Sequence, residues 1–250
     1  MTRTIVLPPS GDPVDELWEV LLDLADQLDV PWTLVGGQMV LLHALEHGTV
    51  PPQVSQDGDV VADIRAAPAG LKEVIARLEL FGFKLEGIST HGVAHRYVRP
   101  GRKRGWPVAI DVLAPDGVGR RADLTTTHPG HTVQVPGGTQ ALARTERTAV
   151  RSGDRLGYVP RPTLLAAVVG KAAACGLPDD PSRHLRDLAL LCALIDDPFS
   201  TADELSVKDH KRLRLAAALD NSPHPAWFLV PERLRADGRT AWLVLNDLPA

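Results

Sequence analysis

The sequence predicts an α/β (α+β) core with a mixed sheet, followed by a helical C-terminal region. Three observations carry that prediction. Helical spacings and short apolar runs of strand type alternate through the first half of the chain. Strand-type runs then follow one another without an intervening helix, which calls for antiparallel neighbours. From Pro162 onward strand-type runs give way to long stretches with helical spacing. The division is a core over 1–125, an irregular connecting segment over 126–160 and a helical region over 161–250. At 250 residues the chain is long enough for one large domain or two small ones.

In chain order, Asp12 is placed as N-cap of the first helix, with Pro13 at its first position and Asp15 as the N3 acid. Val14, Leu17, Leu21, Leu24 and Leu28 recur at helical spacing and predict one core-facing side. Pro31 ends this helix. Trp32–Val35 then reads as a buried strand, Gly36 and Gly37 as a tight turn, and Gln38 to about Glu46 as a helix. A loop with Pro51 and Pro52 leads to a strand from Asp57, with Asp63 closing it. Pro68 opens a helix to about Leu80 whose inner face is Leu71, Val74, Ile75 and Leu78. Strands are expected around Lys84–Ile88, His95–Val98 and the Asp111 run. Over 114–160 only His131–Val135 and Arg155–Val159 read as short strands, flanking an arginine-bearing segment. Helices are expected at Thr163–Ala174, at Pro181–Ile195 with Asp180 as N-cap, and at about Ala202–Leu219.

The stretch from Trp32 to Arg65 carries the chemistry. Side chains at i and i+2 of a strand share a face, so a strand starting at Asp57 sets the carboxylates of Asp57 and Asp59 side by side. Adjacent carboxylates repel unless a proton or cation lies between them, and hard oxygen ligands suit Mg²⁺. Glycines at a strand-to-helix turn let backbone N–H groups approach an anion such as a phosphate. A phosphate grip beside a cation clamp points to phosphoryl or nucleotidyl transfer.

With Asp111 as a later third carboxylate, this Gly-Gly, Asp-x-Asp, Asp order resembles the nucleotidyltransferase superfamily that includes DNA polymerase β. The double glycine, the Leu41-Leu42-His43 that follows and the helical C-terminal half resemble the AbiEii/MenT-type nucleotidyltransferase toxins most. The resemblance spans roughly residues 30 to 195. Two departures stand out: Gly58 replaces the apolar residue usual between the aspartates, and the spacer from Gly37 to Asp57 is long. The resemblance implies a polymerase-β-like core, with Asp57, Asp59 and Asp111 holding Mg²⁺ (or Mn²⁺) against an NTP substrate. It implies that Gly36 and Gly37 bind the triphosphate, and that Lys171 on one helix, with Arg183 and Asp187 on the next, approach the nucleotide. It further implies an RNA acceptor such as a tRNA 3′ end, and a toxin held by an antitoxin protein. Two other functions are carried: transfer to a small hydroxylated molecule, as in antibiotic-modifying relatives, and a catalytically silent binding module.

Other groups have plainer readings. Lys171, alone on an apolar helix, would by itself snorkel to solvent, and Arg183 and Asp187 have ordinary i,i+4 ion-pair spacing. His43 and His47 are spaced for zinc but lack the His-Glu-x-x-His order. Arg96, Arg99, Arg102, Lys103 and Arg104, with Tyr97 and Trp106, form a basic turn suited to guiding a nucleic acid, and Arg144, Arg147 and Arg151 form a second basic set. A net charge of −4 opposes a protein that is basic all over. Hydrophobic residues at 44% and charged residues at 23% are ordinary for a globular protein. No apolar run approaches the roughly 18 residues of a membrane span. The N-terminal apolar stretch is too short for a signal peptide. Cys175 and Cys192 alone exclude a disulfide scaffold, and the expected setting is cytoplasmic.

Overall fold

Strand β6 (Val108–Pro115) is apolar except at Asp111 and buried at every position. Such a strand needs neighbours on both edges and cover on both faces. In the computed structural model, which describes residues 4–247 apart from Asp12 and Arg104, it has them. β6 is central to a six-stranded mixed sheet of order β2-β3-β6-β5-β4, with the short β7 also paired to β6. The other strands are β2 (Trp32–Val35), β3 (Asp57–Ala62), β4 (Lys84–Leu85), β5 (Arg96–Arg99) and β7 (Gln134–Val135). β3 and β6 run parallel, whereas β2–β3, β6–β5 and β5–β4 are antiparallel. The expected mixed sheet and helical C-terminal region are both present.

The chain forms two compact units, Met1–Met39 with Val54–Pro162, and Val40–Gln53 with Thr163–Ala250. The first contains the six-stranded sheet and a second sheet of three strands, β1 (Ile5–Val6), β8 (Thr145–Ser152) and β9 (Arg155–Pro162). Helix α1 (Val14–Gln27) touches both sheets. Its Leu17 and Leu21 lie against Gly58 of β3, and its Leu22 lies against Gly157 of β9. That double contact explains why burial on α1 exceeds the single face read from the sequence, adding Trp18, Val20, Leu22 and the carboxylate residue Glu16. The helix begins at Val14, with Pro13 as its flanking residue. The cap expected of Asp12 lies outside the described residues. Asp15 instead accepts backbone N–H groups from Ser10 and Gly11, both at 3.0 Å.

Helix α2 (Gly36–Glu46) follows β2 directly, and α3 (Gly70–Leu80) buries Leu71, Val74, Ile75 and Leu78 as expected. The stretch expected to be irregular is more ordered than its composition suggests. Helix α4 (Gly138–Ala143) precedes β8, and β8 pairs with β9 along its whole length in an antiparallel hairpin. The arginines at 147 and 151 hid β8, because they interrupt its apolar pattern.

In the second unit, α5 (Leu164–Ala174) is capped by the Thr163 hydroxyl. Helix α6 (Ser182–Cys192) starts after Pro181, and Asp180 accepts from the Ser182 backbone N–H at 3.0 Å. The single helix expected over 202–219 is instead three pieces: α7 (Pro198–Asp203), α8 (Val207–Leu213) and a 3₁₀ turn, Arg214–Asp220. A reciprocal capping box between Ser206 and Asp209 makes the break. Helices α9 (Pro225–Phe228) and α10 (Glu232–Asn246) follow, and Gly238 lets α10 approach Ala193 closely. No helix among the described residues is long and apolar enough to cross a membrane.

Gly58 gives the fold's most direct test. A Cβ there would lie 3.1 Å from Leu17 Cδ1 and 3.5 Å from Leu21 Cδ2. Gly58→Val should therefore overpack the α1–β3 contact and cost about 1–3 kcal/mol in urea denaturation. An unchanged unfolding midpoint would contradict this packing.

Candidate active site

The sheet register assembles one charged face. In the parallel pair, Asp59 stands opposite Asp111, and Asp57 lies two residues before Asp59 on the same side. In the antiparallel pair on the other edge of β6, Arg96 stands opposite Asp111. Glu86, just past β4, donates its backbone N–H to the Arg96 carbonyl at 2.9 Å. Asp59, Asp111, Arg96 and Glu86 thus follow one another across four neighbouring segments. Gly58 and Ile110 belong to the opposite, core-facing side, so the Gly58 departure is a matter of packing against α1.

The paired glycines are needed for space. β2 pairs with β3 so that Val35 is opposite Asp59, and the chain turns into α2 at the next residue. Gly36 has φ +68°, and a Cβ there would fall 1.8 Å from Asp59 Oδ2. A Cβ on Gly37 would fall 2.5 Å from Ser55 Cβ. Only glycine admits both side chains, and the Asp59 carboxylate consequently sits at the start of α2, where the helix dipole favours negative charge. Gln38, fully buried, donates its side-chain amide to the Ser55 carbonyl at 2.6 Å, and the Ser55 hydroxyl donates to Asp57. The loop before β3 is thereby tied to the first turn of α2.

Arg96 is the functional residue that sequence reasoning assigned elsewhere, to a basic turn. Its Nη1 donates to Asp57 Oδ2 at 3.1 Å and to Asp111 Oδ1 and Oδ2 at 3.2 and 3.0 Å. Its Nε lies 3.5 Å from Glu86 Oε2. Its strand position two residues from Val98, beside the Asp111 strand, is the signal that could have found it. Burial pushes the Asp111 carboxyl up to about 6, against the pull of Arg96 and with further upward pressure from Asp57. Burial acts upward on Asp57 too, but the Ser55 hydroxyl and Arg96 together hold it below the ordinary carboxylate value. Desolvation works against the charge on Arg96, and Asp111 and Asp57 outweigh it, keeping the guanidinium charged.

The expected metal ligands are therefore brought together on one face, but with a guanidinium between Asp57 and Asp111. Among the described residues no group of three or more His, Cys, Asp or Glu side chains is disposed to hold a metal ion. In this arrangement the three aspartates do not fit a divalent cation, because Arg96 occupies the place between two of them.

The rest of the basic turn is also engaged. The Arg102 backbone N–H donates to Glu16 at 2.6 Å and its guanidinium pairs with Glu19, both on α1. Arg99 donates to the Phe81 carbonyl at 3.1 Å and lies over the Phe83 ring. Lys103 lies over Trp106, and Arg104 is outside the described residues. In the second basic set, Arg147 lies over Tyr158 and Arg144 donates to Gln140. His47 Nδ1 lies 2.8 Å from the His43 carbonyl, so that ring is engaged with the end of α2. Asp63 accepts from the Arg65 and Ala66 backbone N–H groups and closes the strand as expected.

In the second unit Lys171 is buried and does not snorkel to solvent. Its Nζ donates to Asp187 Oδ2 at 2.6 Å. Arg183, expected as the partner of Asp187, is exposed and donates instead to the His184 ring. Burial, with Lys171 and Arg183 nearby, holds His184 down at about 4, so its imidazole is neutral at physiological pH.

No protein-family model matches the chain, and no curated protein matches it. Among solved structures it is similar to the antibiotic-resistance factor ANT(2'')-Ia, whose solution structure is described as revealing substrate-regulated conformation dynamics. The two are 15% identical, and the likeness covers 82% of this chain and 90% of that one with a TM-score of 0.40.

The raised Asp111 carboxyl makes a pH prediction. Between the ordinary 3.8 and about 6, the folded protein keeps a proton that the unfolded chain has released. Stability from this group is therefore lost as pH rises through that window, by up to on the order of 2–3 kcal/mol. Asp57, shifted downward, works in the opposite sense at lower pH. Wild type should lose stability relative to Asp111→Asn between about pH 4 and 7 in paired denaturation curves. A difference that stays flat with pH would contradict the assignment.

Proposed function

We propose that the chain is a nucleotidyltransferase that moves a nucleoside monophosphate from an NTP to an acceptor hydroxyl. The observation that supports this most is the parallel β3–β6 register, with Asp59 opposite Asp111, Asp57 on the same face and the start of α2 beside Asp59. In this reading the backbone N–H groups at Gly36 and Gly37 bind triphosphate oxygens, aided by the positive end of the helix. The acceptor oxygen bonds to the α-phosphorus, the bond to the bridging oxygen breaks and pyrophosphate leaves. Asp111, ionised at neutral pH, takes the hydroxyl proton. The resemblance implies Mg²⁺ or Mn²⁺ on Asp57, Asp59 and Asp111, but the positive charge on this face is that of Arg96. Lys171, Arg183 and Asp187 enter the reading through the resemblance alone.

The acceptor follows one of two chemistries. The resemblance to AbiEii/MenT-type toxins favours an RNA 3′ end and a cognate antitoxin. The engagement of Arg99 and Arg102 within their own unit favours a small hydroxylated acceptor, since those arginines would otherwise contact a phosphate backbone. The test incubates the protein with Mg²⁺ and each labelled NTP, with either total tRNA or a panel of small polyhydroxylated amines. Pyrophosphate release with label in one acceptor class is the expected result. Asp59→Asn should abolish it while leaving stability level or higher, because one of several repelling carboxylates is neutralised. Transfer by that variant at the wild-type rate would overturn the proposal. Absence of transfer to either class would favour the silent binding module.

A further inference from the structure

Arg96 stands between two sets of acids. On one side Asp111 is its direct cross-strand neighbour, and Nη1 reaches both Asp111 oxygens and Asp57. On the other side Glu86 is its backbone neighbour, with Oε2 3.5 Å from Nε. The Asp111 side chain is only 11% exposed, whereas the Glu86 side chain is 59% exposed. The carboxylates on the inner side need a counter-charge where water cannot supply one, because like charges held together in a low-dielectric setting are costly. Glu86 has no such need, since solvent screens it. A guanidinium with five donors on a flexible stem can keep its hold on Glu86 while releasing the aspartates.

We infer that Arg96 is the resident cation of the acidic face, that it competes with a divalent cation for Asp57 and Asp111, and that Glu86 is the partner it turns to when displaced. The inference deepens the proposed function, on which its relevance to nucleotide chemistry rests. It also accounts for three aspartates on one face that do not fit a metal: the arrangement is the closed one, with the protein's own cation in place. A divalent ion enters only by exchanging for the guanidinium, so the face does not gather metal in the absence of something that moves Arg96.

Mn²⁺ titration followed by electron paramagnetic resonance, without nucleotide, tests this in the full chain. Arg96→Gln should bind Mn²⁺ about tenfold or more tightly than wild type, because a competing positive charge is removed. It should melt lower than wild type in metal-free buffer, and Mn²⁺ should restore more of its melting temperature than it adds to wild type. Glu86→Gln should bind Mn²⁺ more weakly than wild type, since the displaced guanidinium has lost its second partner. In the Arg96→Gln background the same change should have little effect, and this non-additivity separates partner exchange from simple loss of negative charge. If Arg96→Gln does not fold, Arg96→Lys keeps one charge with fewer contacts and should bind Mn²⁺ with intermediate affinity. Equal or weaker Mn²⁺ binding by the Arg96 variants, no Mn²⁺ binding by any variant, or an equal Glu86→Gln effect in both backgrounds would overturn the inference. A protein that transfers nucleotide but whose Mn²⁺ affinity ignores Arg96 fails this inference alone. One that shows the expected Mn²⁺ affinities and transfers nothing fails the proposed function alone.

Discussion

Asp59 and Asp111 face each other across a parallel strand pair, where direct neighbours on one side of a sheet lie close enough to repel strongly if both are charged. The surroundings of this pair are arranged to tolerate it. Gly36 leaves room for the Asp59 carboxylate at the start of α2, where the backbone is electropositive. Ser55 donates to Asp57, and Gln38 holds Ser55 by its carbonyl. Arg96 reaches across β6 to Asp111 and Asp57. Remove the register and none of these contacts has a purpose. The register is itself fixed by the core side, where Val60, Ile110, Val112 and Gly58 must face inward, so a one-residue slip would bury the aspartates.

Much of this was legible in the residues. The i, i+2 spacing put Asp57 and Asp59 on one face, the apolar run around Asp111 declared a central strand, and the double glycine marked a tight strand-to-helix turn. What the sequence could not convey was the partner of each charge. Arg96 belongs by composition to a cluster of arginines ending at the 101–106 turn, and only the antiparallel β5–β6 register separates it from them. Arg102 likewise pairs with α1, remote in sequence. Ion pairs between distant segments leave no periodic trace, whereas core faces do. The same reason explains Lys171, whose buried pairing with Asp187 is a tertiary contact that spacing alone assigned to Arg183.

The elements that escaped detection share a different cause. β8 carries exposed arginines, which break the alternation that betrays a strand. The break before α8 depends on reciprocal hydrogen bonds between Ser206 and Asp209, which a helical reading of 202–219 overrides. Gly58 and Gly157 look like weak points in strands, yet each is where α1 approaches a sheet most closely. In all these places local propensity gives way to packing between distant segments.

The functional reading and the role of Arg96 meet in one experiment, a crystal structure of the protein with Mn²⁺ and a non-hydrolysable NTP analogue, using the anomalous signal of manganese. The expected result is a manganese peak within ligand distance of Asp57 and Asp111 carboxylate oxygens, about 2.0–2.3 Å, with the triphosphate against the start of α2 and the Arg96 guanidinium turned to Glu86. Nucleotide and manganese bound away from this face, or Arg96 still bridging Asp57 and Asp111 in the loaded protein, would contradict the account.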